Sequence, residues 1–194
     1  MASIPAPSLP LSQLGRAAHD VGLAGLLGGN LFGRFALHPS VTEISDARER
    51  GKVVNAAWRR YGTINSLSLV AVTTGWAGAR ANEAADRRLT PAERRLARAK
   101  DVLVGVVAVT GLATAAQGIR FAGKAPGGAV PLRDGDHAAA SASDDARSAK
   151  RRVNVLGALT LAAEVGLVGV NAALNQQSFR RPPARRLRGG RGRV

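Results

Sequence analysis

The sequence predicts an all-α fold, a four-helix transmembrane bundle, on three observations. Four stretches rich in Gly, Ala, Val and Leu run over 21–37, 61–79, 102–119 and 153–174. Each matches the length that a helix rising about 1.5 Å per residue needs to cross a hydrocarbon layer about 30 Å thick. Charge is confined almost wholly to the connections: 61–79 and 102–119 carry none, 21–37 carries Arg34 and 153–174 carries Glu164. The polar residues inside the stretches are mostly Asn, Thr, Ser and Gln. Helices in lipid satisfy these against one another, whereas a soluble helix shows a charged face along its length.

The elements follow in order. Residues 1–15 hold Pro5, Pro7 and Pro10 and no basic cluster, so they read as an extended flexible tail before an uncleaved first span. The membrane domain covers 16–179. Its second helix starts ahead of its apolar stretch, with Ser45-Asp46 as N-cap. Trp58, Arg59, Arg60 and Tyr61 then form an interfacial anchor. The third helix opens at Thr90-Pro91-Ala92-Glu93, a capping box with Pro at the first helical position. The connection 122–144 is rich in Gly, Pro, Ala and Ser and reads as a flexible loop. The fourth helix starts near Ser143-Asp144, and 180–194 is a basic disordered tail. Asp46-Ala47-Arg48 with Val54-Asn55 recurs as Asp145-Ala146-Arg147 with Val153-Asn154. That register suggests two tandem helical hairpins. Gly75 and Gly78 against Gly166 and Gly169 offer a competing one.

Composition narrows the class of function. At 194 residues one domain is expected. Lys and Arg number 28 against 13 Asp and Glu, a net charge of +15. Mean hydropathy is near zero, an average that hides the apolar stretches because the charges lie almost entirely between them. With no cysteine, disulfides, thiolate nucleophiles and Cys-based metal sites are excluded. His19, His38 and His137 show no ligand spacing, so neither a metal nor a cofactor is expected. No phosphate loop, dinucleotide fingerprint or nucleophile elbow occurs. The excess of Lys and Arg on the N-terminal, 80–100 and C-terminal segments places both termini in the cytoplasm of a multi-pass cell-membrane protein. Arg94, Arg95, Arg98, Arg180, Arg181, Arg185 and Arg186 would then lie on anionic lipid head groups. The Arg/Gly tail also resembles segments that contact nucleic acid, but beside a membrane span lipid is the simpler partner.

Three features bear on activity. Gly25, Gly29 and Gly33 fall on one helix face and let another backbone approach closely. That face serves either packing within the chain or a homo-oligomer or membrane-protein partner. Glu164 lies about 16 Å into the fourth span, near mid-bilayer, where an ionisable group is costly and a functional candidate. Arg34 lies at a similar depth in the first span, so an Arg34–Glu164 ion pair is expected. Asn30, Asn65, Gln117 and Asn171 would be nearby polar members of that centre. His19-Asp20 and Lys100-Asp101 sit at the inner mouths of spans one and three. They could gate a pathway, or simply be interfacial solvation with an acidic first turn.

The run His19-Asp20-Val21 into the glycine stripe, Arg50-Gly51-Lys52-Val53-Val54-Asn55 with Trp58-Arg59-Arg60-Tyr61, and Phe179-Arg180-Arg181-Pro182-Pro183 carry a family likeness. Over most of its length the chain resembles small four-span integral membrane proteins of actinobacterial type, a group with no assigned activity. The resemblance implies a topology and transfers no catalytic residue. A looser similarity to anthrone-oxygenase-like four-span proteins rests on span count and the Gly-rich first span.

The expected function is therefore a small non-enzymatic membrane protein, an accessory subunit or transporter-like bundle. One alternative is a cofactor-free membrane enzyme acting on a lipophilic substrate, with Glu164 as general base. The other is a soluble basic helical protein that binds nucleic acid.

Overall fold

The computed structural model describes residues 11–179, and the expected tails at 1–10 and 180–194 lie outside that range. Four long helices make up the fold: α1 over Leu11–Phe32, α2 over Ala47–Ala81, α3 over Pro91–Ala122 and α4 over Asp144–Phe179. Among the described residues there is no strand, only an isolated bridge between Leu132 and Ala138. Residues 11–15, expected in the tail, already form the first turns of α1.

The helix starts are set by local chemistry. Asp46 accepts from the Arg48 and Glu49 amides and caps α2. Thr90 and Glu93 close the capping box of α3 reciprocally, with Pro91 just inside. The Ser143 hydroxyl accepts from the Ala146 amide at 3.2 Å at the head of α4. Each satisfies donors that the first helical turn leaves orphaned.

α1 packs along α2 and α3 along α4, each pair antiparallel. The two hairpins join mainly through α1 and α4, with a smaller α2–α3 contact. All four helices contribute to one core: Leu26 from α1, Val72 and Trp76 from α2, Val104 and Val107 from α3, Ala163 and Leu167 from α4. The glycine stripe builds the first seam. A Cβ on Gly25 would stand 2.5 Å from Ser68 Oγ, one on Gly29 would enter the Tyr61 ring, and one on Gly33 would enter the Trp58 ring. The stripe is thus filled by α2 of the same chain. Trp58 and Tyr61 turn into this seam rather than outward to an interface.

Of the four helices, α3 and the Asp144–Gln177 part of α4 are long and apolar enough to cross a membrane. α1 and α2 are not. Gln13, Arg16, His19, Asp20 and Asn30 interrupt α1, while Thr63, Asn65, Ser66, Ser68, Thr73 and Thr74 dilute α2. Within the apolar windows of α3 and α4 only 11% and 22% of residues are buried, so their apolar sides face outward, unlike a soluble core helix.

The connection 123–143 is the main departure from expectation: it is folded. Val130 and Leu132 are buried and pack with Val41, Val54 and Ala146. Leu132 donates to the Ala47 carbonyl at 2.9 Å and Gly135 to the His38 carbonyl at 3.0 Å. Arg50 ties the loop down through the Arg133 carbonyl at 2.7 Å and the Ile44 carbonyl at 2.6 Å. Gly127 and Gly128 turn the chain in the left-handed region that glycine tolerates best. The connection therefore caps one end of the bundle; the start of α1 and the end of α4 lie at the other.

Candidate functional site

Three polar levels lie along the inner side of α1. The middle one is centred on Glu164 of α4, whose side chain is fully buried. The Asn30 amide nitrogen donates to both of its oxygens, at 2.8 and 3.0 Å. No salt bridge among the described residues reaches Glu164. Beside this level the Tyr61 hydroxyl donates to the Gly25 carbonyl at 2.5 Å. The bundle interior here brings together a buried carboxyl group, an amide donor and a phenol hydroxyl.

The cap level is built where α1 ends. Gly33–Leu37 forms a π-helical turn in which the His38 amide donates to the Gly33 carbonyl, and Pro39 then starts a short final turn. Such widened turns cluster at functional sites. Asp136 of the cap accepts from Arg34 Nη1 at 2.7 Å and from His38 Nδ1 at 2.9 Å on the same oxygen. Trp58 Nε1 donates to His38 Nε2 at 3.0 Å. An accepting Nε2 requires the proton on Nδ1, so the neutral tautomer that donates to Asp136 follows from the geometry. Asn154 of α4 holds the Asp136 carbonyl at 2.5 Å. Lys150 is buried nearby, with its ammonium 5.6 Å from the centre of the Phe121 ring. The loop backbone can come this close only because residue 135 is glycine: a Cβ would collide with the His38 backbone. Burial, and then the charge of Lys150, hold the His38 pKa below its ordinary value against the pull of Asp136.

The third level lies at the terminal end. His19 is buried and its Nδ1 stands 3.0 Å from Asp20. Asn171 of α4 donates to Asp20 at 3.1 Å and accepts from Lys100 at 2.5 Å. The Lys100 ammonium sits 4.3 Å above the Trp76 ring, and Trp76 donates to Asp101 at 2.8 Å. His19 Nε2 is buried with no hydrogen-bond partner among the described residues. Burial, then Lys100, lower the His19 pKa.

The expected Arg34–Glu164 pair is therefore not formed. Arg34 runs outward along α1 to Asp136, a carboxylate supplied by the folded loop, where its side chain stays 39% exposed and keeps part of its hydration. Of the polar residues expected around Glu164, Asn30 is there. Asn171 belongs to the terminal level, Asn65 is half-buried, and Gln117 lines an open groove beside Arg152. Arg94 donates to the Asp86 and Leu89 carbonyls, Arg98 meets Asp86 at 3.4 Å, and Arg95 is exposed. Arg180, Arg181, Arg185 and Arg186 lie outside the described residues. Sequence reasoning missed His38, Asp136 and Lys150. The available signal was the polar run Arg133-Asp134-Gly135-Asp136-His137 directly preceded by the apolar Val130 and Leu132, a pattern that buries its leading edge. No metal-holding group of His, Cys, Asp and Glu occurs among the described residues. Comparison of the chain with protein-family models, with curated proteins and with solved structures finds no match.

Proposed function

We propose that the chain is a four-span membrane bundle with both termini cytoplasmic, acting as a small non-enzymatic transporter-like or accessory subunit whose proton-exchanging centre is Glu164 on Asn30. The observation that carries this reading is a fully buried carboxyl group with an amide partner and no salt bridge among the described residues, inside a bundle that is apolar outside. Large apolar side chains stand exposed on every helix: Phe32 on α1, Leu67 on α2, Val109 and Leu112 on α3, Val165 on α4. Polar inside and apolar outside inverts the order expected in water and suits lipid.

The two weaker spans are compatible with this placement. Thr73 and Thr74 of α2 return their hydroxyls to the Leu69 and Val70 carbonyls at 2.8 and 2.7 Å. Thr110, Thr114 and Thr160 do the same on α3 and α4. A hydroxyl satisfied within its own helix costs little in hydrocarbon. α1 turns Asn30 onto Glu164 of α4 and buries His19, while Gln13, Arg16 and Asp20 stay exposed near its start.

A carboxyl group that exchanges a proton from within lipid should react with a hydrophobic carbodiimide, and its loss should abolish proton movement. Expected is carbodiimide modification of the reconstituted chain at Glu164, with proton uptake into vesicles lost in Glu164→Gln. An unmodified wild-type chain, or Glu164→Gln with undiminished uptake, would overturn the reading.

A further inference from the structure

At the cap end the seam between α3 and α4 opens into two adjoining hollows of about 250 and 530 Å³ that share Gln117 and Arg152. The first is rimmed by Arg120, Lys124 and Arg152, and the second by Arg151 and Arg152. The floor turns apolar toward the bundle centre, through Ala149 to Val155 and Leu156. Arg120 and Arg152 are the first charges met on leaving the apolar stretches of α3 and α4. Ile119, next to Arg120, and Leu159, one turn beyond Val155, are exposed apolar residues on the same two helices.

The charges are poorly compensated. Lys124 pairs with Asp145 at 2.5 Å and Arg151 donates to Ser148 at 3.0 Å. No ion pair among the described residues engages Arg120 or Arg152, and Asp145 is the one acidic residue of the lining. Elsewhere Arg80 and Arg98 are tied to Asp86, and Arg34 to Asp136. The α3–α4 groove thus presents two free guanidinium groups at the level where a bilayer changes from hydrocarbon to head group, with apolar surface directly below.

We propose that this groove binds one anionic phospholipid, its phosphodiester between Arg120 and Arg152 and an acyl chain over Val155 and Leu156. Guanidinium forks match phosphate oxygens, and basic pockets between membrane helices select anionic head groups. The site rests on the membrane reading above but not on Glu164. It lies at the opposite end of α3 from Arg94, Arg95 and Arg98, so it is distinct from the lipid contact those residues suggest.

The test is native mass spectrometry of the full chain in non-ionic detergent with equal phosphatidylglycerol and phosphatidylcholine. Expected is selective retention of phosphatidylglycerol by the wild type. Two basic groups at a lipid surface are together worth on the order of 30-fold in binding (about 2 kcal/mol). Arg120→Gln/Arg152→Gln should lose selectivity on that order, with the melting midpoint recording that it is folded. Arg120→Lys/Arg152→Lys should keep most of it, and Arg59→Gln/Arg60→Gln, exposed at the same end on α2, should keep all of it. Equal retention of the two lipids by the wild type, or equal loss in the Arg59/Arg60 variant, overturns the site. Displacement of phosphatidylglycerol by millimolar inorganic phosphate overturns the lipid in favour of a soluble phosphate ligand. A chain released from membranes by alkaline carbonate overturns the membrane reading itself; a chain that needs detergent yet shows no lipid preference overturns this site alone.

Discussion

His38 is hydrogen-bonded on both ring nitrogens, and only one of those bonds survives protonation. Nδ1–H to Asp136 suits either charge state. A proton on Nε2 would face the Trp58 N–H, donor against donor. Burial and Lys150 already hold the pKa of the ring below its usual value of about 6.5. The neutral form is the one the fold favours, so its contribution to stability is complete above about pH 6.5 and is lost as pH falls through the lowered value. Trp58 emission is therefore expected to change with a midpoint below 6.5. Trp58→Phe removes the opposing donor and should raise the midpoint of His38 itself, followed by the NMR shift of the ring. A midpoint at or above 6.5 in the wild type would contradict this account. At Gly29 the effect is steric: Gly29→Ala drives a methyl into the Tyr61 ring and should cost about 1–3 kcal/mol. Gly28→Ala on the same helix meets open space and should be neutral or slightly stabilising. Equal melting midpoints for the two variants would show that the Tyr61 ring does not fill the space beside Gly29. The glycine stripe, Glu164 and Asn30 were all legible in the sequence, because their periodicity and depth are local properties of a helix. The partner of Arg34 was not, because Asp136 is a loop residue whose position depends on a fold far away in the chain.

Among the elements, the helices announce themselves and the cap does not. Asp46, Thr90-Pro91-Ala92-Glu93 and Ser143 each mark a start in the sequence and each is found capping. Thr90→Ala should cost about 1 kcal/mol, read as a lower melting midpoint and faster amide exchange in the first turn of α3. An unchanged exchange rate there would deny the cap its role. The connection 123–143 reads as flexible in the sequence because Gly, Pro, Ala and Ser suit a loop whether or not it is packed. What decides the matter is Val130 and Leu132, two apolar residues among them, which close over Val41, Val54 and Ala146. Gly135→Val would push the loop off the His38 backbone. The pH response of Trp58 should then disappear while α3 and α4 stay helical by circular dichroism. A response retained in Gly135→Val would separate His38 from the cap.

At the scale of the molecule, the helix count was legible and the number of crossings was not. α3 and α4 pass as spans by composition, whereas α1 and α2 carry polar residues that are satisfied within the helix, as Thr73 and Thr74 are, or by partners such as Glu164 that a single sequence does not display. The absence of native cysteine makes the topology directly measurable. Thr42→Cys and Ser141→Cys, both exposed at the cap end, should react with an impermeant maleimide from outside intact cells. Ala81→Cys should react only after the membrane is opened. If Thr42→Cys and Ala81→Cys label from the same side, α2 does not cross and the four-span proposal fails.

α1 touches every polar level: His19 at one end, Asn30 in the middle, Arg34 and His38 at the other. One rod is thus held at three heights at once by groups on α4 and the cap. A shift of that rod along its own axis has to break Asp20–Asn171, Asn30–Glu164 and Arg34–Asp136 together, so it behaves as a keyed pin whose register is fixed at more than one notch.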